Sequence, residues 1–219
     1  MSNINFYLAI MGIAGGIMCA VADLFLDLKG PENEKIGKMK IIDSMWDHMP
    51  HYRFVVSTVL AMFAVPMYSC GMIALVNIIS GWAPSFAMVL KAIFLVGAMG
   101  GFMIHTYLNL CPTIYKIIKK ESGLELADKV ICATFKQISV PFFVCYSMLV
   151  IIPSGMVIYS ICARLLQVPM YCIFFNPVVF QAVGLLLRAT KLKCFIDAPS
   201  CCAASLGLAS FGMIALYVV

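Results

Sequence analysis

Asp23 and Asp27 stand four residues apart at the end of a long uncharged run. At that spacing two helical carboxylates share one face. Such a face suits proton exchange, a cation site or general acid–base work. The plainer reading is that both acids close a helix end and pair with Lys29, Arg53 or Lys193. His105 is the one histidine inside an apolar run, because His48 and His51 fall in a charged segment. An imidazole there would shuttle a proton, ligate a metal or hydrogen-bond a ligand, or simply bond a neighbouring carbonyl. Asp197 opens the last apolar run, where the helix dipole alone favours an acid. Asn176 and Gln181 are amides within another apolar run. Interhelical hydrogen bonding explains both, although Asn176-Pro177 also frees carbonyls one turn earlier and so favours a ligand pocket. Tyr68, Tyr107, Asn109 and Tyr146 are further candidates to line the same cavity.

The elements that must carry these residues are membrane spans. Thirteen of the fifteen Lys and Arg residues and all ten acids lie in or beside three segments, 23–53, 116–136 and 188–197. Long uncharged stretches separate them, and about 20 apolar residues suffice to cross a bilayer as a helix. The composition is 63% hydrophobic and 11% charged, against about 25% charged in a soluble domain. The expectation is an all-α polytopic membrane protein: a single transmembrane domain over 1–219 and a bundle of six transmembrane helices. The spans fall at about 6–28, 53–79, 85–110, 137–163, 168–187 and 196–219. Asp23-Leu-Phe-Leu-Asp27 has no small-residue cleavage site, so the first run reads as a retained span.

Lys and Arg number five in 29–53, five in 116–136 and three in 188–193, whereas the opposite side carries Lys91 and Arg164. The positive-inside rule then makes the three charged loops cytoplasmic and puts both termini on the non-cytoplasmic side. In the first loop, 41–49 reads as an interfacial stretch anchored by Trp46. Ser122-Gly-Leu-Glu125 fits a capping box starting the next helix, and Pro141 and Pro153 predict kinks in span 4. With this orientation Asp23, Asp27, Arg53, His105, Tyr107, Asn109, Gln181 and Asp197 all fall in the cytoplasmic half and point to a cavity opening there, although a ring of interfacial polar residues would give the same set.

Several functions are disfavoured. The net charge of +5 reflects span ends, not a nucleic-acid face, because aromatic residues interleaved with a basic stripe are absent. The ten cysteines include no C-x-x-C, so they read as small buried hydrophobes rather than metal ligands. One intramembrane histidine argues against a zinc site. No nucleotide-binding, metalloprotease or G-x-S-x-G motif occurs, and no motif identifies a cofactor. Ser154-Gly155 offers a serine but no partner base.

The motifs also follow a familiar order. Gly16 to Asp27 is a loosened G-[IL]-x-x-A-D-x-x-L-D, followed by Trp46 and Arg53, then Pro66-Met-Tyr68-Ser-Cys-Gly71. Gly100-Gly101-Phe-Met-Ile-His105 runs on to Pro112-Thr-Ile-Tyr115-Lys116, and Phe175-Asn176-Pro177 comes later. This order resembles a family of small bacterial six-span membrane proteins of unknown function. The resemblance implies the fold and the bacterial cytoplasmic membrane, and carries no activity. The tail departs from that pattern, with Ser200-Cys-Cys-Ala-Ala-Ser205 replacing a segment of small residues and an Asn.

The leading expectation is therefore a protein that binds or transports a small molecule or lipid through a polar pocket built from Asp23, Asp27, Arg53, His105, Asn176, Gln181 and Asp197. The alternatives are an intramembrane enzyme acting on a lipid with an Asp/His acid–base pair, and a structural or assembly subunit. The expected partners are membrane lipids and that ligand, without nucleic acid; a homo-oligomer is compatible with the sequence.

Overall fold

A helix crossing lipid must satisfy every backbone group within itself, and the apolar runs do so as long helices. The computed structural model describes residues 3–219. Its elements are α1 (Asn3–Asp27), a small hairpin of β1 (Lys35–Ile36) and β2 (Ile42–Asp43), α2 (His51–Ser80), α3 (Pro84–Ser122), α4 (Leu124–Cys162), α5 (Pro177–Ala189) and α6 (Ala198–Val218). Five of the six helices, all but α5, are long and apolar enough to cross a membrane. The charged segments gather at one end of the bundle, called here the charged end.

Glycine notches set the packing. A Cβ on Gly15 would lie 2.2 Å from the Tyr68 nitrogen on α2, and one on Gly16 would lie 2.5 Å from Ala209 on α6. α1 is thus clamped between α2 and α6 at distances only glycine permits. On α3, Gly97 and Gly100 receive α4 in the same way, meeting Leu149 and Cys145. Tyr68, Phe94 and Phe211 pack edge to face at the centre, with centroids 6.1 and 6.3 Å apart.

The fifth expected span is broken. α5 has 13 residues, about 20 Å at 1.5 Å per residue, too short for a hydrocarbon core of about 30 Å. Before it, 163–176 is irregular apart from a 3-10 turn at Met170–Phe174. Pro169 and Pro177 both lack an N–H and disfavour helix in the residue before them, so regular helix starts only at Pro177. Leu166 and Cys172 bury this stretch in the central core, which is where irregular backbone at depth is tolerated. Gly207, midway along α6, abuts Pro177; α5 therefore begins beside the middle of α6 and runs back to the charged end.

Two local expectations are also corrected. Trp46 is not an interfacial anchor: it is buried against Tyr115 at 5.6 Å, in a second core with Ile42, Phe54 and Ile131. α3 and α4 extend past their apolar runs to form its walls, so the first loop folds as a cap on the charged end. Ser122 makes no capping bond; Gly123, at φ +86°, turns the chain into α4. In span 4, α4 passes through a π turn at Ser147–Ile151 just before Pro153, which has no N–H to return to the preceding turn.

Candidate functional site

Four helices meet at Asp23. Ser205 on α6 donates its hydroxyl to Asp23 Oδ2 at 2.5 Å, and His105 Nδ1 on α3 lies 3.5 Å from Asp23 Oδ1. On the far side of the ring, His105 Nε2 is 2.8 Å from Ser57 Oγ on α2. Ser57 also donates to the Ala22 carbonyl at 2.7 Å. A hydroxyl carries one proton, so Ser57 must accept from His105, and Nε2 is the protonated nitrogen. Nδ1 then faces the carboxyl. A proton carried by either atom would therefore face the other across 3.5 Å.

The order Ser57–His105–Asp23 matches that of a nucleophilic triad, but Ser57 does not fit the role. It is fully buried, its proton is committed to a backbone carbonyl, and it is not in the wall of the cavity that Asp23 and His105 line. It holds the ring instead.

Asp23, His105, Ser205, Gln181, Tyr68 and Tyr146 line a cavity of about 250 Å³, with apolar walls that include Val65, Leu149 and Leu208. Two more cavities, of about 270 and 200 Å³, share Asp27 with it and lead outwards past Lys29, Lys35 and Asp43. On the side of α4 and α5 the wall is thin. No α4 residue from Cys132 to Met148 is buried, and α5 buries only Pro177 and Gly184.

At the mouth, Lys29 bonds Asp27 and lies 2.8 Å from Asp43, which Lys35 also reaches at 2.9 Å. Burial alone would raise the Asp43 carboxyl, but the Lys29 charge and hydrogen bonds from Lys29, Lys35 and Asn33 outweigh it and hold the group below the usual carboxylate range. Burial likewise would lower the Lys29 ammonium, yet the charges of Asp27 and Asp43 hold it above the usual lysine range. Asp197 accepts the Lys29 and Gly30 backbone N–H groups at 2.9 and 2.5 Å.

The seven sequence candidates thus separate. Asp23, Asp27, His105 and Gln181 share the cavity wall, and Asp197 lines its outer neighbour. Arg53 turns away, donating to the Leu24, Phe25 and Leu28 carbonyls at the end of α1. Asn176 is consumed as the N-cap of α5: Oδ1 accepts from Val179, and Nδ2 donates to the Ile173 carbonyl. Tyr107 belongs to the outer cavity, and Asn109 to a separate groove. Sequence reading missed Ser57 and Ser205, which are ordinary small residues in apolar helices and carry no signal without a partner. It also missed the Lys29–Asp43 pair, which the cap creates. Among the described residues, no three His, Cys, Asp or Glu side chains gather as a metal site would require.

The sequence model of one protein family matches residues 1–219. The chain belongs to a family of unknown function, DUF6796. No curated protein and no solved structure matches it. The family therefore supplies no ligand or reaction, and any functional reading of the site rests on its geometry.

Proposed function

We propose that the protein binds, and in the course of its work moves, an amphiphilic ligand whose polar end lies against Asp23 and His105. The observation that carries this reading is the facing Asp23–His105 pair on the wall of a cavity that continues into a charged mouth. The pair offers a proton to an anionic or neutral polar group and takes it back on release. Weakly covered α4 and α5 provide a side entrance for an apolar chain, and Lys29, Lys35 and Arg188 stand where a polar head would leave. In this reading the bundle crosses the bacterial cytoplasmic membrane with its charged end inside, and the irregular 163–176 stretch with α5 completes a sixth crossing.

The experiment is to extract the chain with its surrounding lipid in a polymer disc and identify co-purifying molecules by native mass spectrometry, for wild type and Asp23→Asn. A ligand retained by wild type and lost from the folded variant is the expected result. Identical lipid content in both would overturn the proposal. An intramembrane enzyme is the second reading, favoured by the facing Asp23 and His105 side chains, an arrangement that suits acid–base work. It requires a co-purified ligand to be chemically altered by wild type on incubation and unaltered by His105→Ala.

A further inference from the structure

Two buried polar atoms, Thr106 Oγ1 and Asn109 Oδ1, have no hydrogen-bond partner among the described residues. They are three residues apart on α3 and so neighbours on one helix face. Both residues line a groove of about 240 Å³ between α2 and α3, separate from the Asp23 cavity, with the two oxygens covered just beneath its surface. Asn109 is only 3% exposed. Its Nδ2 donates to the His105 carbonyl at 2.9 Å, and this fixes the amide, since the flipped form would set oxygen against oxygen. Oδ1 is therefore an acceptor left over. The other polar groups of the groove are partnered: Thr58 donates to the Phe54 carbonyl at 3.0 Å, and Thr113 Oγ1 is 3.3 Å from His51 Nδ1.

An unmet buried acceptor costs about 1–3 kcal/mol, and in lipid no water is at hand to relieve it. The two orphans define what would. Asn109 Oδ1 can only accept, whereas the Thr106 hydroxyl can donate. One neutral hydroxyl admitted from the groove by a shift of these side chains would satisfy both, giving its proton to Asn109 and taking that of Thr106. An ionised carboxylate or phosphate diester has no proton for Asn109. An ammonium has no lone pair for Thr106, and no acid lines the groove to balance it. Val55, Val59 and Leu110 offer an apolar wall alongside. His51 and Thr113 place the groove's outer end near the charged end of the bundle.

We propose that the α2–α3 groove is a second ligand site, binding an uncharged amphiphile through one free hydroxyl held between Thr106 and Asn109. This site does not rest on the reading of the Asp23 cavity.

The test uses the full chain in phosphatidylcholine nanodiscs with a diazirine-bearing diacylglycerol, mapping photolabelled peptides by mass spectrometry. Label is expected in 51–59 and 106–113. Unlabelled 1,2-dioleoylglycerol should compete, and its 3-acetyl ester and phosphatidic acid should not. Thr106→Val keeps the side-chain shape and should lower labelling roughly three- to tenfold, the worth of one hydrogen bond. Asn109→Leu should abolish it; if that variant does not fold, Thr106→Val decides. Equal competition by the acetyl ester, label confined to α1 or α6 peptides, or undiminished labelling of Thr106→Val would each overturn the site. So would a structure with saturating dioleoylglycerol that shows only water at Asn109.

Discussion

His105 Nε2 lies 2.8 Å from Ser57 Oγ, and Ser57 hands its own proton to the Ala22 carbonyl at 2.7 Å. The backbone of α1 thereby fixes which nitrogen of a histidine on α3 faces Asp23. If Ser57 is a holder and not a nucleophile, a fluorophosphonate probe will leave it unmodified in the folded protein. Ser57→Ala will keep the fold and weaken ligand retention by freeing the ring. Labelling of Ser57 by the probe would make it an enzyme residue after all.

His105→Ala should cost more than an interfacial position would. The ring is nearly buried and bridges Asp23 and Ser57, so its loss leaves a cavity and an unmatched carboxyl. A destabilisation of about 1–3 kcal/mol is expected, together with loss of the co-purifying ligand. Thermal unfolding in detergent and native mass spectrometry measure the two effects. An alanine variant as stable and as loaded as wild type would contradict the bridge.

The cap should be stable across a wide but bounded pH range. Asp43 is held low, so its contribution is complete above its unfolded value near ~3.9 and is lost as pH falls through the lower folded value. Lys29 is held high, so its contribution is complete below its unfolded value near ~10.4 and is lost as pH rises through the folded one. Hydrogen exchange of 33–47 should therefore remain slow between these limits and quicken outside them. Asp43→Asn should quicken it at neutral pH too.

Two glycines should respond in opposite directions. Gly15→Ala forces a methyl to within 2.2 Å of the α2 backbone and should cost about 1–3 kcal/mol by parting α1 from α2. Gly155 has open space around its absent side chain; Gly155→Ala should be neutral or stabilise by roughly 0.5–1 kcal/mol through helix propensity. Denaturant unfolding in mixed micelles would compare them, and equal effects would refute the notch.

Orientation is testable with single cysteines in a cysteine-free background. Residues at positions 81 and 219 should react with an impermeant maleimide on intact cells, and one at position 119 should not. Reaction at 119 alone would invert the assignment.

Much of this architecture was written in charge spacing. Long runs without Lys, Arg, Asp or Glu predicted helices over most of α1, α2, α3 and α6, because burial of apolar length needs no tertiary information. Span 5 misled for the same reason: 168–187 is uncharged throughout, and hydropathy does not register that Pro169 and Pro177 disfavour helix in the residues before them. At the site, Asp23 and His105 were visible as rare groups at depth. Arg53 and Asn176 were equally rare, but their side chains satisfy backbone groups, and only geometry separates such a use from ligand binding. Ser57, Ser205 and the folding of the first loop over Trp46 depend on neighbours distant in the chain, which no local pattern encodes.

The Gly16–Ala209 contact has a consequence for synthesis. The face of α1 that receives α6 is notched and carries Asp23, whose hydroxyl partner sits on α6. During translation that face cannot meet α6 until α6 has left the ribosome. α1 must therefore wait for its Ser205 partner until α6 has been made. Ribosome-bound chains stopped before Ala198 should show α1 accessible to lipid-phase crosslinkers at Gly16. Emergence of α6 should then withdraw it, so the α1–α6 contact closes only after the helices between them have been made.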